Sequence, residues 1–179
     1  MRIVAGEHKG ARIFAPAGQE TRPTSDRARE AAFNLIGPVD GANVLDLFAG
    51  SGAMGLEALS RGAGSVTFVE SDRVAATTIE RNLDKLRLTG AAVHRDDAIR
   101  RLAADAAAGR RYDLVLVDPP YRTLAGLLPK LATYLPSVLA PDGIAVVESS
   151  SREEPDLPLA KRTTRRYGSA RLTVFEAPE

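Results

Sequence analysis

Four consecutive residues, Asp118-Pro119-Pro120-Tyr121, place a carboxylate, a carbonyl held between prolines and an aromatic ring directly after the apolar run Tyr112 to Val117. That set suits an exocyclic amine on an aromatic base. Conjugation leaves such a nitrogen flat and poorly nucleophilic. Acceptors in its plane, the Asp118 carboxylate and the Pro119 carbonyl, hold both protons and turn the lone pair toward an electrophile. The prolines set those acceptors before substrate arrives. Tyr121 offers a flat face to a base taken out of its stack, and a carboxylate beside a nitrogen that leaves the reaction cationic is electrostatically matched.

A second constellation lies upstream, from Val44 to Gly62. An apolar, β-branched run (Val44, Leu45, Leu47, Phe48) stops at Ala49-Gly50-Ser51-Gly52, and apolar residues return at helical spacing (Met54, Leu56, Ala58, Leu59). The pattern predicts strand, tight turn and helix, with free N–H groups at the helix start aimed at a ligand. Gly50, Gly52 and Gly55 spell G-x-G-x-x-G, with Glu70 about 20 residues on, which taken alone points to NAD. Asp46, four residues ahead of Gly50, gives D-x-x-x-G-x-G, which resembles the opening motif of class I S-adenosylmethionine methyltransferases. A dehydrogenase has no use for Asp-Pro-Pro-Tyr, so the two constellations together favour S-adenosylmethionine.

The remaining elements must carry both to one place. Residues 1 to 15 predict a small hairpin, Arg2-Ile3-Val4 and Ala11-Arg12-Ile13-Phe14 around the tip Gly6 to Gly10. Thr24 or Ser25 caps a helix that Gly37 and Pro38 stop, with Ala28, Ala31, Phe33, Leu35 and Ile36 inward. Ser65 to Glu70 is a second buried strand. Ser71 caps a helix to Leu86 with Val74, Ile79, Leu83 and Leu86 inward. Ala91 to His94 is a third strand, Asp96-Asp97 opens another helix, and Tyr112 to Val117 is a fourth strand. Leu124 to Leu139 is leucine-rich, with Pro129 and Pro136 arguing for two short helices or a kink. Gly143 to Glu148 is a fifth strand, and 162–166 with 170–175 form a final antiparallel pair. Alternating strands and helices predict an α/β fold, a doubly wound, mostly parallel seven-stranded sheet of Rossmann-like kind with an N-terminal hairpin extension. Ligands then bind at the carboxyl ends of the strands, where Asp46 to Gly52, Glu70, Asp96-Asp97 and Asp118 to Tyr121 all fall.

Composition narrows the choice. The 179 residues suffice for one domain, 44% are hydrophobic, 26% are charged, and the net charge of +1 confines any basic surface to local patches. No apolar run reaches membrane-spanning length and the first residues lack a signal-peptide core, so a cytoplasmic monomer is expected, with no membrane partner. The absence of cysteine excludes methylation at pyrimidine carbon 5 through a cysteine adduct. It also excludes cysteine zinc sites, and with His8 and His94 the only histidines no metal site is expected.

The chain resembles the bacterial 16S ribosomal RNA guanine-N2 methyltransferase family in RPTSDRAREAAFN (22–34), DLFAGSGAMGLEALSRGA (46–63), FVESD (68–72), DPPY (118–121) and YGSARLTVFE (167–176). The resemblance implies that Asp46, Phe48, Gly50 and Gly52 receive the methionine part of S-adenosylmethionine, that Glu70 holds the ribose hydroxyls, and that Asp97 or its neighbour Asp96 meets the adenine amine. Asp118, Pro119 and Tyr121 would receive the guanine, with ribosomal RNA in the small subunit as partner. It also implies a division into 1–20, an RNA-contacting extension, and 21–179, the methyltransferase domain. Arg2, Lys9, Arg12, Arg22, Arg27 and Arg166 are the candidate RNA contacts. Arg29 near the first helix start, and Lys161, Arg162, Arg165 and Arg171 in the last strands, fit either RNA contact or a solvated face. A DNA amino-methyltransferase shares the tetrapeptide but needs a recognition region for which the chain lacks room. A protein glutamine methyltransferase carries Asn where Asp118 stands. A non-catalytic assembly factor would tolerate loss of Asp118.

Overall fold

The computed structural model describes residues 1–18 and 25–178. Its elements run α1 (Asp26–Ile36), β1 (Asn43–Leu47), α2 (Ala53–Ser60), β2 (Ser65–Val69), α3 (Arg73–Leu86), β3 (Ala91–His94) and α4 (Ala98–Ala107). Then follow β4 (Tyr112–Val117), α5 (Tyr121–Val138), β5 (Leu139–Ser150), β6 (Ala160–Tyr167) and β7 (Ala170–Glu176). The strands form one seven-stranded sheet in the order β3-β2-β1-β4-β5-β7-β6, parallel from β3 to β5, with β7 antiparallel to both its neighbours. This is the mostly parallel, doubly wound sheet that the alternation of elements predicts. Among the described residues no helix is long and apolar enough to cross a membrane.

The central strands are apolar on both parities, so both sheet faces need a cover. Val44, Leu114 and Leu116 join one core cluster with Phe33 of α1, Leu56 of α2 and Ile79 of α3. Leu45, Leu47, Val115 and Val117 join the other with Leu102 of α4 and Leu124, Leu131 and Leu135 of α5. Asp46 shares parity with Val44 and therefore lies under α2, buried to 3% exposure.

The N-terminal segment is a minimal hairpin, with one antiparallel bridge between Arg2 and Arg12. It is sewn onto the domain. Ile3 and Ile13 are in the first core cluster, the Val4 and Ala5 N–H groups donate to the two Glu57 oxygens at 2.9 Å each, and the Glu7 and His8 N–H groups donate to Ser60.

Four expectations change. A single α5 runs through Pro129 and Pro136 in place of two short helices; its buried stripe of Leu124, Leu131, Leu135 and Val138, each worth about 1.5–3 kcal/mol, offsets about 3 kcal/mol per proline. Asp72, not Ser71, caps α3 by accepting the Ala75 N–H at 2.8 Å. Val74 is exposed because the α3 stripe follows Ala75, Ile79, Asn82 and Leu86. In α1 the inward face is Arg29, Ala32, Phe33 and Ile36 rather than an all-apolar one, and Ser25 supplies the cap.

Candidate active site

The parallel strands β1 to β5 all end on one edge, and the sequence-predicted residues gather there. Phe48 leaves β1 with φ +59 and Gly50 continues the reversal at φ +57, so the chain folds back within three residues. Space is open where a Gly50 Cβ would stand, whereas a Cβ on Gly55 would lie 2.3 Å from the Phe68 ring. The third glycine of the G-x-G-x-x-G pattern thus serves the packing of α2 on β2, and the first borders open space. Glu70, one residue beyond β2, accepts the Gly50 N–H through Oε2 and the Asp72 N–H through Oε1, both at 2.8 Å. It holds the loop against the next strand.

Asp46 braces the loop from below by accepting the Gly55 N–H at 3.0 Å. Burial pushes its carboxyl up to about 7; the Glu70 charge adds to the rise and the Gly55 N–H opposes it. Since the folded pKa lies above the unfolded one, the folded chain binds more protons between about pH 4 and pH 7. The stability from this group is therefore full below about pH 4 and lost as pH climbs through 7. Asp46→Asn keeps an acceptor for Gly55 and has no proton to release. Its stability relative to the parent, measured by urea denaturation, should rise from pH 4 to pH 7.5. A difference independent of pH would show that Asp46 does not titrate in that window.

Past β3, the Asp97 side chain caps α4 by accepting the Arg100 N–H at 2.8 Å. Asp96 accepts the Asp97 N–H at 2.7 Å and pairs with the Arg100 guanidinium, whose hydrogen bond holds its carboxyl below the usual range. Past β4, Asp118 is half-buried, Pro119 is buried and Pro120 precedes α5. Tyr121, the first residue of α5, donates its hydroxyl to Glu148 Oε1 at 2.8 Å. The sequence reading gave Glu148 no role; it follows Val146-Val147 as Asp118 follows Val117, but β5 continues past it to Ser150.

The basic candidates divide. Arg2, Lys9, Arg12, Arg27, Arg165 and Arg166 are exposed, with Arg2 3.3 Å from Asp26; Arg22 lies outside the described residues. Arg29 is a correction: it is 0% exposed, donates to the Arg2 carbonyl and to Asp26, and lies 4.0 Å from buried Glu57. Arg171 is another, 7% exposed and bonded to Glu154, Thr164 and the Ser151 carbonyl. Lys161 pairs with Glu154 and Arg162 with Glu176. Acids outside the basic stretch neutralise them.

A seven-stranded sheet of this order, with a glycine loop after β1 and acids at successive strand ends, defines a class I methyltransferase fold. The profile of the family described as "Conserved hypothetical protein 95" matches residues 1–176, and the chain belongs to that family. It is 40% identical to "Putative rRNA methyltransferase YlbH" of Bacillus subtilis over 185 aligned positions, 98% of each chain. It is also 40% identical over 152 positions to "Ribosomal RNA small subunit methyltransferase D" of Escherichia coli, covering 83% of this chain and 74% of that one. The solved structure of "Putative methyltransferase yhhF" from Escherichia coli superposes with a TM-score of 0.85 at 34% identity, over 99% of this chain and 97% of the other.

Proposed function

We propose that the protein transfers a methyl group from S-adenosylmethionine to the exocyclic N2 amine of a guanine in small-subunit (16S) ribosomal RNA, with the assembled subunit as substrate. The observation that carries the reading is the convergence of Asp118-Pro119-Pro120-Tyr121 and the Asp46–Gly52 loop on one strand-end edge, on the adjacent strands β4 and β1. The names of its relatives, which specify ribosomal RNA, support it.

The loop fits the cofactor's chemistry. Glu70 supplies negative charge beside a cationic methionine end, Asp46 adds to it as it ionises through about pH 7, and Gly50 leaves the backbone open to close approach. Glu70, one lone pair of each oxygen still available after its two N–H bonds, takes the ribose hydroxyls; Phe48 borders the loop. Asp97 receives the adenine amine: it caps α4 through one oxygen, whereas Asp96 is charge-paired with the Arg100 guanidinium. Bound S-adenosylmethionine supplies a methyl carbon on a sulfonium.

On the protein side, the Asp118 carboxylate and Pro119 carbonyl hold the two amine protons and aim the nitrogen lone pair, and the Tyr121 ring stacks on the base. As the nitrogen–methyl bond forms and the sulfur–methyl bond breaks, positive charge appears on the nitrogen beside Asp118. The methylated ammonium then loses a proton to Asp118 or water. No deeper base is required. Arg2, Lys9, Arg12, Arg22, Arg27 and Arg166 contact RNA phosphates, and the 1–20 extension presents the first three of them.

Transfer from labelled S-adenosylmethionine to small subunits, naked ribosomal RNA and duplex DNA, with the nucleoside identified by mass, tests this. The expected product is N2-methylguanosine in subunits. Label confined to DNA overturns the substrate, and binding of S-adenosylmethionine without transfer to any of the three overturns the activity.

A further inference from the structure

We propose that Glu148 reads the N1–H of the target guanine and so selects the base, an inference that rests on the guanine-N2 reading above. The acceptor pair at Asp118 and Pro119 cannot select by itself. Guanine N2, adenine N6 and cytosine N4 all present the same flat amine, and two acceptors hold each equally well. What differs is the ring nitrogen beside the amine, a donor in guanine N1 and an acceptor in adenine N1 and cytosine N3. A carboxylate carries only acceptors. Placed against that position it takes the guanine N1–H and sets lone pair against lone pair with the other two.

Glu148 stands where that position must be. Val117 pairs with Val147 across β4 and β5, so the residues that follow them, Asp118 just past β4 and Glu148 where β5 runs on beyond it, come side by side. Neighbouring strands lie about 4.8 Å apart, within the span of one base edge. The Tyr121 hydroxyl donates to Glu148 Oε1 at 2.8 Å, which fixes the carboxylate and ties it to the stacking ring. A carboxylate offers about four lone-pair sites and so accepts from several donors at once. Glu148 is half-buried, which strengthens a hydrogen bond to it relative to one in open water. One residue thus joins the stacking ring to the base-reading edge.

The test uses small subunits reconstituted with RNA that carries guanine or 2-aminopurine at the methylated position, once that position is mapped. 2-Aminopurine keeps the 2-amine and lacks the N1 proton. The wild type should favour guanine by about 100-fold or more in kcat/KM, because a site built around one donor leaves its own acceptor unpaired against the analogue. Glu148→Gln offers an amide N–H2 to the bare N1. The preference should shrink below about tenfold, chiefly through a slower reaction on guanine. Tyr121→Phe keeps the ring and the carboxylate and should retain most of the preference. An unchanged ratio in a folded Glu148→Gln protein overturns the proposal alone. If the wild type forms no N2-methylguanosine, the guanine reading falls and takes this inference with it.

Discussion

Replacing Asp118 with alanine is expected to lower methyl transfer by about a thousandfold while leaving S-adenosylmethionine affinity within about threefold. The two effects separate because of where the groups stand. The glycine loop is held by Asp46 in β1, by Glu70 just past β2 and by the Gly52-to-α2 junction. Asp118 lies one strand over, just past the end of β4, and the Gly50 and Gly55 N–H groups of the loop are accepted by Glu70 and Asp46. Truncation takes away an acceptor that orients the amine and the negative charge that meets the developing cation, each felt in the transition state more than in cofactor binding. Asp118→Asn keeps an acceptor oxygen for the amine and loses the charge that meets the developing cation, so its rate should fall between those of the alanine variant and the parent. Single-turnover transfer and calorimetric binding check both halves. Turnover close to wild type would remove Asp118 from catalysis and bring the non-catalytic assembly reading forward.

Replacing Arg29 with methionine is expected to destabilise the fold by about 3–5 kcal/mol, the range seen when one partner of a buried ion pair is removed. Glu57 is fully buried, and its carboxylate is met by the Val4 and Ala5 N–H groups, by Arg61 at 2.9 Å and by Arg29 at 4.0 Å. Arg29 in turn donates to the Arg2 carbonyl, so one guanidinium joins α1, α2 and the N-terminal hairpin. Methionine fills similar space without the charge, and the carboxylate must then be protonated or drag in water. Arg27→Met, two residues away on the exposed face of α1, should stay within about 0.5 kcal/mol of the parent. Urea denaturation of both variants decides. A loss below about 1 kcal/mol for Arg29→Met would return Arg29 to the surface reading.

Those two arginines also mark the limit of what local sequence determines. Strand-turn-helix at Val44 to Gly62, the order of strands and helices, and the position of several acids at or just past strand ends were legible because each depends on residues within a few positions: β-branched runs, cap residues and turn glycines. The parallel sheet follows from that alternation, and with it the edge on which Asp46, Glu70, Asp97 and Asp118 meet. The fate of each charge did not follow. Arg27 and Arg29 share one helix and one local composition, yet one faces solvent and the other is sealed against Glu57 of α2. Arg171 sits in a basic stretch and is neutralised by Glu154 from before β6. Glu148 earns a place beside Tyr121 only because β5 lies next to β4 in register. Backbone conformation is set largely by neighbours in the chain; the energy of a charge is set by whatever the fold brings within a few ångströms of it, and that partner lies far off in sequence.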